Sequence, residues 1–579
     1  MEQRACPVKG SARLRAGSDR HIAATTGRRE RSLLARPSGG AAMSGAQGEA
    51  AGAVLAALCA APGEADLPAV AARVAAAVAG AEPLQSERER IADLYRGLIE
   101  SRRFLPSVPI LANAGRSNLL AACYVIEPED SLASIYETLG LAARIQQGAG
   151  GAGIHFSKLR PRGAPIRRSG GVSPGPLAFI ELFAHSARVN ERAGRRPGAH
   201  LAVLDAEHPD AAELVRAART EREAMAGMGL ALAASDAFLA SGSPLLDEIC
   251  AAIVDSGQPS LLFSDAIEAA NPEPELGRIR ATNPCGEQPL LAGESCVLGS
   301  LDLPAFADAG GALDWDSLGR ACEVGIRFLD DVLEIARFPD PAIERATLRT
   351  RKVGLGFLGL ADLALLRGID FDGAELRELA GEIARFVCEQ ARSASAKLAE
   401  ERGPYPAWRG RGARRRNATT TAIAPTGTLR LLTGSSGGIE PLLDPVRAIA
   451  LGPGEIRFVD RWLEDWLGPR TRDRDAVLAA LAAGVPSSEL PKLAERDRRL
   501  LRRGSELDAR AQIAVQAEVQ RFVDGAVSKT VHLASSASAA EVRELVLFAR
   551  GAGCKGVALF RGEPGCAPCA LPERRSPWL

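Results

Sequence analysis

The sequence predicts an α/β protein. Short apolar strands and longer helical stretches alternate along it from about residue 101 to 562. Apolar residues make up 46% of the 579 positions, enough for a sizeable core. At this length the chain holds roughly three to four domain-sized units, or one large barrel with additions. Basic and acidic side chains balance, 71 against 71, so no overall field draws in nucleic acid or an anionic membrane. Aromatic residues are 4%, too few for base-stacking surfaces. No apolar run approaches the ~20 residues of a membrane span. The 11 cysteines are odd in number and scattered, and no secretory leader precedes them. That pattern points to thiols in a reducing cytoplasm rather than a disulfide scaffold.

Residues 1–50 are rich in Arg, Gly, Ala and Ser, with few acids and no apolar periodicity. They read as a disordered extension, either an over-long start with Met43 as the true beginning, which is preferred, or an organelle transit peptide. Residues 51–100 are Ala-rich and helical, broken at Pro62-Gly63, with an amphipathic helix over about 86–101. A short apolar strand surrounds Cys123, and Asp130-Ser131 caps a helix that runs to about Gln147. The glycine run 148–153 follows, and then a strand over 154–159. The run formally matches G-x-G-x-x-G, but a dinucleotide site needs strand, glycines, helix in that order, so the match is rejected here. A glycine floor under a substrate remains open. A second match at 354–359 has a better order but a short, charged approach strand, and is weak. A strand is expected over 199–204, and helices over about 316–337, 373–402, 511–523 and 539–552. Residues 452–510 are charged and irregular, and the last 17 residues, 563–579, are Pro-, Gly- and Arg-rich and read as a flexible tail.

Three places carry chemistry. In Asn283-Pro284-Cys285-Gly286-Glu287 a carboxamide, a thiol and a carboxylate occupy alternate positions. An extended segment would project all three to one side. Pro284 disfavours helix and Gly286 permits close approach, so a rigid loop presenting Cys285 is expected. The turn Pro425-Thr426-Gly427-Thr428, leading to Leu429, offers free backbone donors and two hydroxyls, which suits phosphate. The tail pair Cys566-Ala-Pro-Cys569 lacks the second ligand pair of a structural zinc site, so no metal is assigned and the pair reads as a redox dithiol, with zinc as the alternative.

Eight stretches, in order, resemble the large catalytic chain of ribonucleotide reductases. They are Arg103-Phe-Leu-Pro with Asn113-Ala-Gly115; Ala122-Cys-Tyr-Val with Glu129-Asp-Ser; Gly150-Gly-Ala-Gly-Ile-His-Phe-Ser-Lys-Leu-Arg-Pro; and Ala281-Thr-Asn-Pro-Cys-Gly-Glu-Gln-Pro-Leu-Leu. The others are Glu294-Ser-Cys-Val-Leu-Gly-Ser-Leu; Arg351-Lys-Val-Gly-Leu-Gly; Arg416-Asn-Ala-Thr-Thr-Thr-Ala-Ile-Ala-Pro-Thr-Gly-Thr; and Ala526-Val-Ser-Lys-Thr with Gly553-Cys-Lys-Gly. Within the family the chain is most similar to the adenosylcobalamin-dependent kind. Iron-dependent members receive their radical through paired tyrosines near the C-terminus, and here no tyrosine follows Tyr405.

The resemblance implies a ten-stranded α/β barrel over 101–562, threaded by a finger loop with Cys285 at its tip. It implies a thiyl radical on Cys285, Glu287 as general base and Asn283 holding substrate hydroxyls. Cys123 and Cys296 would supply the reducing equivalents and end as a disulfide. Cys566 and Cys569 would re-reduce it, and a thioredoxin-like donor would restore them. Residues Pro425 to Leu429 would hold substrate phosphates, with Ala122, Gly151 and Gly153 close by. Asp130, Ser131 and Arg160 would belong to a deoxynucleotide specificity site at a homodimer contact. Adenosylcobalamin is the implied cofactor. Val108, Val297, Gly525, His200, Gly227 and Ala511 depart from the family wording, which raises the prospect of weakened substrate contacts. Three other readings stay open: an iron-type large chain needing a radical partner, a catalytically degenerate nucleotide-binding paralogue, and, on the glycine matches alone, a nicotinamide dehydrogenase.

Overall fold

A computed structural model describes residues 45–167, 170–191, 199–220, 223–443, 446–451 and 454–562. Among the described residues three helices, Gly45–Leu58, Leu67–Ala79 and Gln85–Glu100, come first. Asp66 caps the second, its carboxylate accepting from the Ala69 N–H at 2.9 Å. The first begins inside the stretch 1–50 that composition assigns to disorder; it is Ala-rich and packs against the later chain, which composition does not register. The helical layer is tied to the core by a charged network. The Tyr95 hydroxyl donates to Asp331 at 2.6 Å, and Arg402 bridges Asp331 at 2.6 Å and Glu82 at 2.9 Å. Burial pushes the Asp331 carboxyl up to about 7.

Fourteen strands follow among the described residues. Ten form one sheet: β1 (Phe104–Pro106), β2 (Cys123–Ile126), β3 (Gly151–His155), β4 (His200–Asp205), β5 (Met228–Ala234), β6 (Ser260–Phe263), β9 (Ser295–Asp302), β10 (Val353–Leu358), β13 (Thr530–Leu533) and β14 (Gly556–Arg561). β7 (Ala281–Thr282) pairs with β8 (Pro289–Leu290), and β11 (Val446–Leu451) pairs with β12 (Gly454–Val459). Strands β2 to β6 run parallel. They meet the second half antiparallel, at β2 against β9 and at β6 against β14. The extended segment around Thr421 and Ile423 closes the ring, bridging Leu355 on one side and Val527 on the other. The result is a ten-stranded α/β barrel.

Alternation along the strands sorts the side chains into two layers. Cys123, Val125, Leu201, Val203, Ala231, Ala233, Leu262, Cys296 and Leu298 form a small cluster inside the ring. The intervening residues, such as Tyr124, Ile126, Ala202, Leu204 and Val297, join the large outer core under the helices. Among those helices are Leu132–Gln147, Trp315–Ile335, Ala374–Arg402, Ala509–Gln520 and Ala539–Gly551. Each lies within a few residues of the span its periodicity and caps predict. The glycine runs differ. Gly151 and Gly153 lie in strand β3 itself, and Gly354 and Gly356 lie in β10. The strand expected over 154–159 therefore begins three residues earlier. Glycine weakens a strand intrinsically, but these glycines face the barrel interior, where another part of the chain needs the space.

Candidate functional site

That other part is the finger loop. The short pair β7–β8 enters the barrel and turns at Asn283–Glu287. The Asn283 N–H donates to the Gln288 carbonyl at 3.0 Å, and the Gly286 N–H donates to the Asn283 carbonyl at 3.1 Å. The loop is thus a tight turn, with Gly286 at φ +86°, and not the extended segment that alternate spacing suggests. Pro284 takes the second position of the turn closed by that Gly286–Asn283 bond, where its fixed φ fits. The tip fits only because its surroundings lack side chains. A Cβ on Gly153 would run into the Thr282 carbonyl oxygen, and one on Gly151 would lie 3.0 Å from Pro284 Cγ. On the far side the Ala526 N–H donates to the Glu287 carbonyl at 2.8 Å, and a Cβ on Gly525 would meet that same oxygen at 2.9 Å.

The turn divides its functional groups. Cys285 is exposed at the tip, while Asn283 and Glu287 are 2% exposed. The Asn283 amide donates to Glu287 Oε1 at 2.9 Å and to Cys123 Sγ at 3.1 Å. The Cys123 thiol lies 3.8 Å from the same carboxylate oxygen. The amide orientation is fixed because Asn283 Oδ1 accepts from the Gln288 N–H at 3.0 Å. Glu287 Oε2 is buried with no hydrogen-bond partner in the protein, so it is open to a ligand hydroxyl. Burial pushes the Glu287 carboxyl up to about 7, against smaller opposing effects of the bonds it accepts from its own N–H, Asn283 and Cys123.

Cys123 and Cys296 are partners across the antiparallel pair β2–β9. Both are buried thiols, pushed well up by burial, with the Glu287 carboxylate adding to the rise at Cys123. Ala122 donates its N–H to the Cys296 carbonyl at 3.2 Å and accepts from the Gly151 N–H at 2.9 Å. The expected pair, the loop residues and the glycine strand therefore meet in one interior site.

Family models for the "Ribonucleotide reductase, barrel domain" match residues 121–243, 239–416 and 411–560, and the "all-alpha domain" model matches 60–118. The chain belongs to the ribonucleotide reductase family. A Mycobacterium tuberculosis protein named vitamin B12-dependent ribonucleoside-diphosphate reductase is 39% identical over 517 residues, covering 84% of this chain and 74% of the relative. A protein of the same name from Thermoplasma acidophilum is 33% identical over 500 residues, covering 81% and 64%. The Actinobacillus ureae class Id ribonucleotide reductase alpha subunit superposes with a TM-score of 0.76 over 89% of this chain and 97% of its own, at 23% identity.

Other residues singled out in this reductase-family sequence fall in separate places. Pro425 and Gly427 line a small pocket with Arg430, Thr530 and His532, and Gly427 faces open space. Thr426 has φ +54°, and its hydroxyl accepts from the Gly438 N–H at 2.9 Å, so it is engaged within the fold. The Thr428 side chain caps nothing, and Leu429 opens a helix of 5 residues. Asp130 and Arg160 form an ion pair at 2.7 Å on the surface, and Ser131 caps the helix at Leu132 through the Ser134 N–H. Val297 points into the outer core between inward-facing Cys296 and Leu298, so its departure from the family wording does not touch the site. Cys566 and Cys569 lie outside the described residues.

Sequence reasoning gave no role to Glu294 and Lys352. They form a buried ion pair at 2.7 Å, 2% and 1% exposed. The available signal was a lysine directly before an apolar, glycine-spaced strand, which forces a charge into the interior.

Proposed function

We infer that this chain reduces ribonucleotides to 2′-deoxyribonucleotides by a thiyl-radical route. One observation carries the inference most directly. The finger loop places an exposed thiol, Cys285, on the same turn as a buried carboxylate and amide that contact one thiol of a cross-strand pair. The relatives named as vitamin B12-dependent ribonucleoside-diphosphate reductases extend the reading to adenosylcobalamin and to nucleoside diphosphates.

The chemistry follows from the residues. Cys285, as a thiyl, takes the 3′ hydrogen of the ribose. The Glu287 carboxylate accepts the 3′ hydroxyl proton at its open oxygen, and Asn283 orients that carboxylate. The 2′ hydroxyl leaves as water. Cys123 and Cys296 together supply two hydrogens and two electrons and become a disulfide, and Cys285 recovers its radical when the 3′ hydrogen returns. When bound, adenosylcobalamin supplies the radical through its cobalt–carbon bond. The chain fits such a group by access: of the eight described cysteines, seven are buried and Cys285 is exposed.

Pro425 to Leu429 hold the substrate phosphates in this reading, with Gly427 presenting its backbone. Asp130, Ser131 and Arg160 take a deoxynucleotide effector, at a contact between two copies of the chain. The tail pair Cys566 and Cys569, served by a thioredoxin-like reductant, reopens the internal disulfide. The eight described cysteines are all thiols, which suits a cytoplasmic protein, and none of the described helices is long and apolar enough to cross a membrane. The test is deoxynucleotide formation by the wild type and its loss in Cys285→Ala. Equal product from the variant would overturn the radical route.

A further inference from the structure

Lys352 takes no part in the chemistry above, yet sheet register brings it to the thiol pair. Strand β10 pairs parallel with β9, Val353 against Val297 and Gly354 against Leu298. One step earlier, Lys352 falls beside Cys296. Three neighbouring chain positions therefore carry Cys123, Cys296 and Lys352 in a row across the inner face. The ammonium donates to Glu294 Oε2 at 2.7 Å. That carboxylate is held further by the Leu291 N–H at 2.8 Å and the Thr350 hydroxyl at 2.6 Å. A fully buried ion pair gains little stability after desolvation, so its place beside a redox thiol calls for a chemical reason.

The two sulfurs have unlike surroundings. Cys123 is turned to the finger loop, with the Asn283 amide at 3.1 Å and the Glu287 carboxylate at 3.8 Å. Cys296 is fully buried, its thiol donating to the Val297 carbonyl at 3.4 Å. The charges facing Cys296 are Lys352 across the sheet, Glu287 from the loop and Glu294 two residues earlier in its own chain. Burial pushes the Cys296 thiol well up; of the three charges the Lys352 ammonium acts against that rise, while the two carboxylates add to it.

We propose that Lys352 makes Cys296 the leaving sulfur of the Cys123–Cys296 disulfide, so that an incoming thiol attacks Cys123. The proposal rests on the reading that this pair is oxidised during turnover. A thiolate of a dithiol reductant forms a bond to Cys123 Sγ. The Sγ–Sγ bond breaks, and its electron pair leaves on Cys296 as a thiolate facing the Lys352 ammonium. The second thiolate of the reductant then attacks its own sulfur in the mixed disulfide and releases Cys123. The reductant departs as a disulfide, oxidised by two electrons, and its two protons end on the cysteines. A thiolate leaves faster where its charge is stabilised, which gives Lys352 a positioning role in the reductive half of the cycle.

The test uses the full chain oxidised with diamide, then treated briefly with 2-mercaptoethanol and iodoacetamide and mapped by mass spectrometry. The expected adduct is mercaptoethanol on Cys123 with the alkyl group on Cys296. The double variant Lys352→Met/Glu294→Gln, which removes both charges together, should open the disulfide about tenfold more slowly and lose the preference. Lys352→Arg should restore the preference. Mercaptoethanol on Cys296 in the wild type, or an unchanged rate and adduct site in the double variant, would overturn the proposal while leaving the disulfide itself intact. If diamide forms no Cys123–Cys296 bond, the proposed pairing falls and this assignment falls with it. Should the double variant fail to fold, the wild-type adduct alone decides.

Discussion

Cys123 and Cys296 face each other as direct partners on antiparallel strands inside the barrel. Directly opposed residues of such a pair have Cα atoms about 4.5–5.5 Å apart, within the span a disulfide bridges. The account predicts that one turnover without added reductant leaves this bond. Peptide mapping after alkylation reads it. Cys296→Ser should show no such bond and no multiple turnover.

With Glu287 as the proposed base, activity should follow the ionisation of its carboxyl. Burial holds its carboxyl at about 7, and only the ionised form accepts a proton. Rate should therefore rise with pH through about 7 and level above it. Glu287→Gln keeps the side-chain shape and should lower the rate by about 10²–10⁴-fold while abolishing that rising limb. A limb that survives in the variant would assign it to another group.

The same carboxyl links pH to stability. Its folded value lies above the ordinary 4.5, so between about 4.5 and 7 the folded chain holds a proton that the unfolded chain has released. Stability from this site is full below that window and falls as pH rises through it, by about 3 kcal/mol in all. Glu287→Gln lacks the effect. Denaturant midpoints should therefore move in favour of the variant between pH 5 and pH 8, and a constant difference would contradict the assignment.

Gly153 is a steric requirement of the finger loop. A methyl group there collides with the Thr282 carbonyl, which is backbone and has no rotamer to yield. Gly153→Ala should cost about 1–3 kcal/mol and displace the loop. Urea unfolding measures the first effect, and the labelling rate of Cys285 by a thiol reagent measures the second.

Asp130 and Arg160 pair at 2.7 Å with a third of each side chain in solvent. Exposed pairs contribute about 0–1 kcal/mol. Arg160→Ala should leave the unfolding midpoint almost unchanged and abolish the response of substrate preference to added deoxynucleotides. A variant with its effector response intact would remove Arg160 from that site.

Most of the site was legible because its residues lie close together in sequence or inside recognisable stretches. Asn283, Cys285 and Glu287 share one turn, and the helices announce themselves through period and caps, as Ser131 does at Leu132. Two features escaped because they depend on register between distant strands. The glycines of β3 read as a loop, since nothing local shows that Thr282 passes over them. Lys352 and Glu294 lie 58 residues apart, and only the β9–β10 alignment joins them. The outward orientation of Val297 likewise follows from strand phase, which resemblance of wording does not convey.

The central claim is tested most directly by anaerobic incubation of the purified chain with CDP and dithiothreitol, with and without adenosylcobalamin. The account predicts deoxycytidine diphosphate only when the cofactor is present. Product formed equally without it, or none in its presence from a protein that still binds the nucleotide, would contradict the account.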